Sequence, residues 1–135
     1  MNTYRRFAGL VATVAATALL LIPRPAHAIS RVDLGTFNAS SYRAWITFQN
    51  DIKTRNLDWG YVNANSFRKW SSGTYLTGSY YYVRFEFKDK DDRTICDTRA
   101  RLFVPYTTAS EGPTAHGFYK DGHCWIDVYD QKFPY

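Results

Sequence analysis

The sequence predicts an all-β fold, a small antiparallel β-sandwich of immunoglobulin-like or C2-like type with one disulfide, and a small β-barrel is the alternative. After residue 28, no stretch of ten residues has the apolar spacing of a helix, and aromatic and β-branched residues dominate. Six to eight short alternating segments are separated by groups of Asp, Asn, Ser and Gly. The pair Cys96 and Cys124 is typical of a single disulfide in an exported protein.

Residues 1–28 have the pattern of a secretory signal peptide. A pair of arginines precedes an apolar run of 16 residues, 7–22, and prolines then lead to the small-residue site Ala26-His27-Ala28. The run is shorter than the roughly 20 residues that span a bilayer. We therefore expect cleavage after Ala28, a secreted single β domain of residues 29–135, and no membrane anchor after processing, with a non-cleaved anchor as the alternative.

The charge of the mature chain is nearly balanced. Three of the 17 Lys and Arg residues and none of the 12 Asp and Glu residues lie in residues 1–28, which leaves a net charge of +2. A nucleic-acid-binding domain would show a dense basic face, so we expect no nucleic-acid partner. The chain has no C-x-x-C pair and no G-x-S-x-G nucleophile motif, and we expect no cofactor.

Two strands are predicted near the start of the mature chain. Residues 32–37 form a short apolar stretch, and residues 42–49 place Ala44 and Ile46 on one face by alternation. The region that follows, 50–78, is interrupted by Asn, Asp, Ser and Gly. We expect one or two short strands there, joined by long loops.

A hairpin is predicted from residues 80–88 and 94–104, because both segments alternate and the acidic run between them breaks the pattern. A loop of two or four residues places Phe85 opposite Cys96, so that inner side chains meet inner side chains. The disulfide cysteine of this hairpin therefore points towards the core.

The same register makes two predictions for the outer face of this hairpin. Arg84 is opposite Asp97, which gives an ion pair, and Tyr82 is opposite Arg99, which gives a cation–π contact. Both pairs would join one strand to the next on the outer face of the hairpin.

A second hairpin is predicted from residues 117–120 and 123–130. The dipeptide Asp121-Gly122 between them is preferred in a two-residue type I′ turn. Alternation after the turn directs Cys124 inward, as it does Cys96. We therefore expect a buried disulfide that links the two hairpins.

The excess of aromatic residues predicts a binding surface. Flat rings on a rigid sheet stack on sugars or anchor a protein partner. The candidate binding residues are Tyr80, Tyr82, Arg84, Arg99, Trp125 and Tyr129, with Trp45 and Trp70 as further outer-face candidates. These residues favour a secreted binding module for an extracellular protein or glycan, for example an inhibitor of a secreted hydrolase. The alternative is that region 50–78 buries these rings.

A small hydrolase or nuclease is the second hypothesis for function. Glu111, His116 and His123 lie near one another in the sequence, and a glutamate with a histidine is the minimum for general acid–base catalysis. The predicted turn, however, places His123 opposite Lys120 and leaves His116 farther along the strand. Surface histidines are the alternative interpretation.

Two further patterns are weaker. Asp89, Asp91 and Asp92 share one loop, and loop carboxylates are the ligands that Ca²⁺ prefers, but Lys and Arg lie among them and no EF-hand pattern is completed. Asn38-Ala39-Ser40 is an N-glycosylation sequon, which has meaning only in a eukaryotic secretory pathway.

Overall fold

A computed structural model of the chain describes residues 29–130 and Phe133, and all regular structure in that part is β-strand. The strands are β1 (Arg31–Asn38), β2 (Arg43–Asn50), β3 (Asn56–Val62), β4 (Ser66–Leu76), β5 (Tyr80–Lys88), β6 (Thr94–Phe103), β7 (Glu111–Lys120) and β8 (His123–Tyr129). Among the described residues there is no apolar helix of membrane-spanning length. The predicted signal peptide and its cleavage site lie outside the described residues.

The strands form two sheets of four, which pack face to face as the predicted small β-sandwich. The back sheet has the order β4-β1-β7-β8, and the front sheet has the order β3-β2-β5-β6. Neighbouring strands are antiparallel except β1 and β7, which are parallel. This pair departs from the predicted all-antiparallel arrangement, and it is possible because the chain crosses to the front sheet and back between the two strands.

Aromatic rings form much of the core between the sheets. Alternation on β5 buries Val83, Phe85 and Phe87 completely, and alternation on β2 does the same for Phe48. The ring of Phe85 lies against the backbone of Gly117 on the opposite sheet, where a Cβ atom would overlap it. The two sheets approach closely here because one of them has no side chain at the contact.

Region 50–78 differs from the prediction. It holds β3 and β4, and β4, with 11 residues, is the longest strand described; only residues 63–65 connect the two. The predicted number of strands, one or two, is therefore correct, but the prediction that they are short and joined by long loops is wrong. Strand β4 is long because Trp70 and Tyr75 both point into the core, with an irregular exposed stretch between them.

Trp70 was an outer-face candidate, and that prediction is also wrong. Its side chain is only 3% exposed, and its indole N–H donates to Oγ1 of Thr36 at 2.8 Å. A buried tryptophan needs such an acceptor, and Thr36 is itself completely buried.

The register of the second hairpin is confirmed. Lys120 pairs with His123 across the Asp121-Gly122 turn, and both turn residues have the positive φ that a type I′ turn requires, 50° and 83°.

The register of the first hairpin is shifted by two residues, so that Phe87, not Phe85, pairs with Cys96. The loop contains Asp92 at a positive φ of 62°, and Ile95 is left unpaired in a bulge. From Cys96 onwards, a shift of two keeps each side chain on its predicted face. Thr94, on the other side of the bulge, pairs with Lys88 and lies on the outer face.

The disulfide between Cys96 and Cys124 is confirmed, with an S–S distance of 2.03 Å. It joins β6 at the edge of the front sheet to β8 at the edge of the back sheet. Both cysteines are half-buried and not fully buried as predicted, because the bridge lies at the rim of the sandwich. The short connection between β3 and β4 closes the opposite rim.

Candidate binding site

The structure divides the six candidate binding residues between two surfaces. Four lie on the outer face of the front sheet, where β5 carries Tyr80, Tyr82 and Arg84 and β6 carries Arg99. Trp125 and Tyr129 lie on β8, on the outer face of the back sheet. Because the core separates these faces, the residues do not form one continuous patch.

On the front sheet, most of the outer arginines and tyrosines contact one another or a carboxylate, and we call this surface the paired face. It comprises Arg43, Tyr61, Tyr80, Tyr82, Arg84, Asp97, Arg99 and Arg101. Arg84 donates from Nε to Oδ1 of Asp97 at 2.9 Å and lies 3.8 Å from Glu86. This guanidinium holds the pKa of Asp97 below its ordinary value. The predicted ion pair is present, although Asp97 lies diagonally to Arg84 and directly opposite Glu86.

Tyrosine rings on the paired face are covered by cations. The guanidinium carbon of Arg101 lies 3.7 Å from the centre of the Tyr80 ring, while Arg101 also donates from Nε to Asp51 at 2.8 Å. The Lys53 ammonium lies 4.7 Å from the centre of the Tyr82 ring. Each of these rings thus has a partner within the chain.

Arg99 does not make the predicted contact with Tyr82. The shifted register places Arg99 opposite Arg84, and Arg101 opposite Tyr82. Arg99 is exposed and makes no ion pair with any described residue.

Two tryptophans, Trp45 and Trp59, also lie on the outer face of the front sheet. Trp45, a predicted outer-face candidate, is half-buried, and its ring centre lies 4.7 Å from that of Tyr61. Trp59 on β3 is 57% exposed and was not predicted as a candidate. The signal for Trp59 was weak because Asp58 and Gly60, the residues on either side of it, do not show the apolar alternation of a strand.

The back sheet presents a run of rings in mutual contact, which we call the aromatic strip. It comprises Phe37, His116, Phe118, Trp125 and Tyr129. Phe118 and Trp125 are paired across β7 and β8 and stack at 5.3 Å with 12° between their planes. His116 lies 4.6 Å from Tyr129, 5.6 Å from Phe37 and 6.4 Å from Phe118, measured between ring centres.

The aromatic strip is exposed and almost uncharged. Trp125 and Tyr129 are each 41% exposed, and the other rings are half-buried. Asp127, which pairs with His116 across β7 and β8, is the charged residue between them on β8. Burial lowers the pKa of His116 more than Asp127 raises it, which favours the neutral ring.

Sequence reasoning missed Phe37 and Phe118 as members of the strip. The confirmed register of the second hairpin contains the signal for Phe118, since it pairs Phe118 with Trp125. Phe37 reaches the strip through the parallel pairing of β1 with β7, which places it beside His116. No local pattern in the sequence predicts that pairing.

The three candidate catalytic residues do not meet. Glu111 begins β7 and lines a pocket of about 450 Å³ at one end of the sandwich. His116 lies five residues farther along the strand, roughly 16 Å at the usual rise. His123 follows the turn, four residues from the partner of His116 on β8. A concerted acid–base pair has no support in this arrangement.

The aspartates of the first hairpin loop are occupied by protein donors. Oδ1 of Asp89 accepts the backbone N–H groups of Asp91 and Arg93, and the Arg93 side chain binds both Asp89 and Asp91. Asp92 accepts from Arg43 at 2.8 Å. In residues 29–130 no group of three or more His, Cys, Asp or Glu side chains is arranged to hold a metal ion.

Asn38, the residue of the glycosylation sequon, is completely buried. Its Nδ2 donates to the carbonyl oxygens of Tyr42 and Val62, at 2.7 and 3.1 Å, and its Oδ1 accepts from Ser40. The folded protein therefore holds the amide as a structural connection between β1 and β2 and does not present it to solvent.

The chain matches no protein-family model, and no characterised protein matches it in sequence. The geometry of the two outer faces is therefore the basis for a functional conclusion.

Proposed function

We propose that this chain is an exported binding module and that it contacts an extracellular protein through the aromatic strip. The observation that supports this proposal is a contrast in pairing between rings of equal exposure. Tyr80 is 41% exposed and lies beneath the guanidinium of Arg101, whereas Trp125 and Tyr129, each also 41% exposed, make their ring contacts with other rings. Clustered exposed rings on a rigid surface are typical of interaction sites.

Export is supported by two features of different kinds. The pattern of residues 1–28 is that of a signal peptide, and the Cys96–Cys124 disulfide forms and persists in oxidising compartments. Both features are consistent with a partner outside the cell.

A protein partner is favoured over a glycan by the chemistry around the rings. Protein interfaces concentrate aromatic residues at a centre that is poor in charge and place polar groups at the rim. The strip comes close to this arrangement. Asp127 is the one charged residue between its rings on β8, burial lowers the pKa of His116 beside it, and Lys120 and His123 lie exposed at the hairpin tip. A glycan site would add several hydrogen-bonding side chains between the rings.

The strip is also held in place before any partner binds. Phe118 and Trp125 belong to a tight hairpin, and Trp125 directly follows the disulfide residue Cys124. A surface that is ordered in the free protein loses less conformational entropy on binding.

The test compares two double variants of the mature chain. Trp125→Ala/Tyr129→Ala removes the two exposed rings of the strip, and Tyr80→Ala/Phe103→Ala removes two similarly exposed rings from the front sheet as a matched control. Binding is measured by biolayer interferometry against purified extracellular proteins of the producing cell and against a panel of polysaccharides.

We expect the strip variant to lose protein binding by about 30-fold or more, the usual effect of removing hot-spot aromatics, and the control to bind like the wild type. Loss in the control alone would assign the site to the front sheet. Binding to a polysaccharide that depends on the strip would overturn the choice of a protein partner.

A further inference from the structure

A pocket lies at the end of the sandwich opposite the Asp121-Gly122 turn, where the chain crosses from β6 in the front sheet to β7 in the back sheet. The crossover, residues 104–110, forms one wall of this end pocket. Glu111 at the start of β7 and Asp130 after the end of β8 belong to the other wall. The volume of the end pocket, about 450 Å³, lies within the range of small-ligand sites.

The crossover is tied by hydrogen bonds to residues at the start of β1. The Ser30 hydroxyl donates to the carbonyl oxygen of Thr107 at 3.2 Å, and the backbone N–H of Asp33 donates to the carbonyl oxygen of Ser110 at 2.8 Å. The end pocket therefore has a wall that is ordered before any ligand enters, which lowers the entropic cost of binding.

The crossover also gives the end pocket an apolar wall with an aromatic ring. Tyr106 is 44% exposed, and its phenol lies against the backbone of Gly78, where a Cβ atom would overlap it. Pro105 and Pro113 also line the pocket. A tyrosine ring attracts a cation, and the prolines provide apolar surface on which an aliphatic chain packs.

The other wall carries negative charge that the chain leaves without a counter-ion. Glu111 is half-buried and Asp130 is exposed, and neither makes an ion pair with any described residue. Asp33, which pairs with Glu111 across β1 and β7, makes no ion pair in the same part of the chain. Arg31, two residues before Asp33 on β1, donates to the carbonyl oxygen of Gly73 instead. A positively charged ligand would therefore supply the counter-ion that this wall lacks.

The chemistry of the two walls favours an organic cation over a metal ion. Among the described residues, no three His, Cys, Asp or Glu side chains are arranged to hold a metal, and hard cations such as Ca²⁺ need several oxygen ligands. An ammonium or guanidinium group on an aliphatic stem can place its charge beside the carboxylates and its methylene groups against the apolar wall.

We propose that the end pocket binds an organic cation, an ammonium or guanidinium group on an aliphatic stem, through Glu111, Asp130 and Tyr106. Free amines share this chemistry with the lysine and arginine side chains of peptides. The end pocket has no residue in common with the aromatic strip, so the inference goes beyond the proposed function.

The experiment titrates the mature chain with butylguanidinium, with butylammonium and with 1-butanol, which has the same stem without the charge. Binding is followed through the chemical shifts of the Ala109 and Gly112 amides, since both residues line the end pocket. We expect saturable shifts with both cations, weaker binding at high salt, and no saturable shift with 1-butanol.

A blocked Gly-Arg-Gly peptide separates the two sources of the cation. Binding of this peptide that is tighter than that of butylguanidinium would assign the pocket to a peptide side chain. Weaker binding of the peptide would assign it to a free amine.

Two isosteric variants test the carboxylates. Glu111→Gln, at the half-buried position, should weaken butylguanidinium binding about 10-fold, and Asp130→Asn, at the exposed position, about threefold. Asp121→Asn removes the same charge at the opposite end of the sandwich and is the matched control, which should bind like the wild type. Trp125→Ala/Tyr129→Ala should also leave cation binding unchanged.

Equal saturable shifts with 1-butanol, or unchanged binding when Glu111→Gln and Asp130→Asn are combined, would overturn the inference. So would an equal loss in Asp121→Asn, because the probes would then respond to net charge alone. Asp130→Asn alters an exposed residue outside the strands and keeps the test decisive if Glu111→Gln does not fold. Since these assays contain no protein partner, their failure concerns the end pocket alone, whereas the strip variants above test the proposed function.

Discussion

The two outer faces of this sandwich carry aromatic rings in comparable numbers and use them differently. On the paired face, Tyr80 and Tyr82 lie beneath cations of the same chain, and the cation over Tyr80, Arg101, also pairs with Asp51. On the aromatic strip, Trp125 stacks on Phe118 and Tyr129 lies edge-on to His116, and among the described residues no cation lies over either ring. On one face, charged side chains of the same chain lie over the tyrosine rings, and on the other the exposed rings meet only in ring–ring pairs.

This comparison shows that the neighbours of a ring, and not the ring itself, distinguish a solvent face from a binding face. On the outer face, β5 carries Arg84 after its tyrosines and β6 carries Arg99 and Arg101, so cations lie close to the tyrosine rings. The outer positions of β7 and β8 bring rings and histidines together with one central carboxylate, Asp127. Four predictions test this contrast.

The largest effect is expected from the bridge that joins the two faces. Replacing both Cys96 and Cys124 with Ser opens a loop with a sequence separation of 28 residues. In the chain-entropy model this lowers the free energy of unfolding by about 3–4 kcal/mol. Urea denaturation of the wild type and the serine variant measures this difference in the free energy of unfolding. If the bridge also holds the strip in place, the serine variant should lose partner binding below its unfolding midpoint; unchanged stability would contradict this role.

The next effect concerns the close approach of the two sheets. Gly117→Ala forces a methyl group into the ring of Phe85, which is completely buried, and should cost about 1–3 kcal/mol. Gly60→Ala is the matched control, because there the nearest atoms belong to the flexible guanidinium of Arg68. Both changes restrict the unfolded chain equally, so their difference isolates the packing term. Equal melting temperatures would argue against the tight contact at Gly117.

The paired face should depend on charge, and the strip should not. Arg84→Met removes a solvent-screened pair with Asp97 and should cost about 0.5–1 kcal/mol, less at high salt. Because Arg84 lowers the folded-state pKa of Asp97, the stabilisation is present above the unfolded value of about 4 and is lost as the pH falls through the folded value. The loss of stability caused by Trp125→Ala, measured against the wild type, should depend on neither salt nor acid. Stability curves at two salt concentrations compare the two variants.

The smallest effect is expected from the centre of the strip. Burial lowers the folded-state pKa of His116 below the ordinary value of 6.5, so the unfolded chain binds more protons in the window between the two values. The free energy of unfolding should therefore fall as the pH decreases from 6.5 through the folded value. His116→Gln should remove this part of the pH dependence, while His123→Gln at the exposed hairpin tip should keep it. A single NMR titration of both histidines gives the independent check.

Local patterns predicted much of the fold. Alternation on β2 and β5 placed the core residues correctly, and Asp121-Gly122 predicted both the turn and the register of β7 with β8. The register of β5 with β6 was wrong because a bulge at Ile95 depends on backbone geometry that alternation does not encode. Trp70 was placed outside because the irregular sequence around it hides its strand.

The candidate site was predictable only in part. Alternation directed Trp125 and Tyr129 to an outer face, as it did Tyr80 and Tyr82, and the structure has them there. Alternation did not reveal that Tyr80 and Tyr82 lie on one sheet while Trp125 and Tyr129 lie on the other. Phe37 was also missed, since its place beside His116 depends on the pairing of β1 with β7.

By itself, the sequence determined the strand character, the inward and outward faces of the hairpins and the pairing of the two cysteines, because these follow from a period of two and from turn chemistry within a few residues. Only the tertiary structure decided which hairpin joins which sheet, and therefore which rings become neighbours. The physical reason is that the parallel pairing of β1 with β7 and the packing of Phe85 on Gly117 join residues that are far apart in the chain. No local pattern records contacts of that kind.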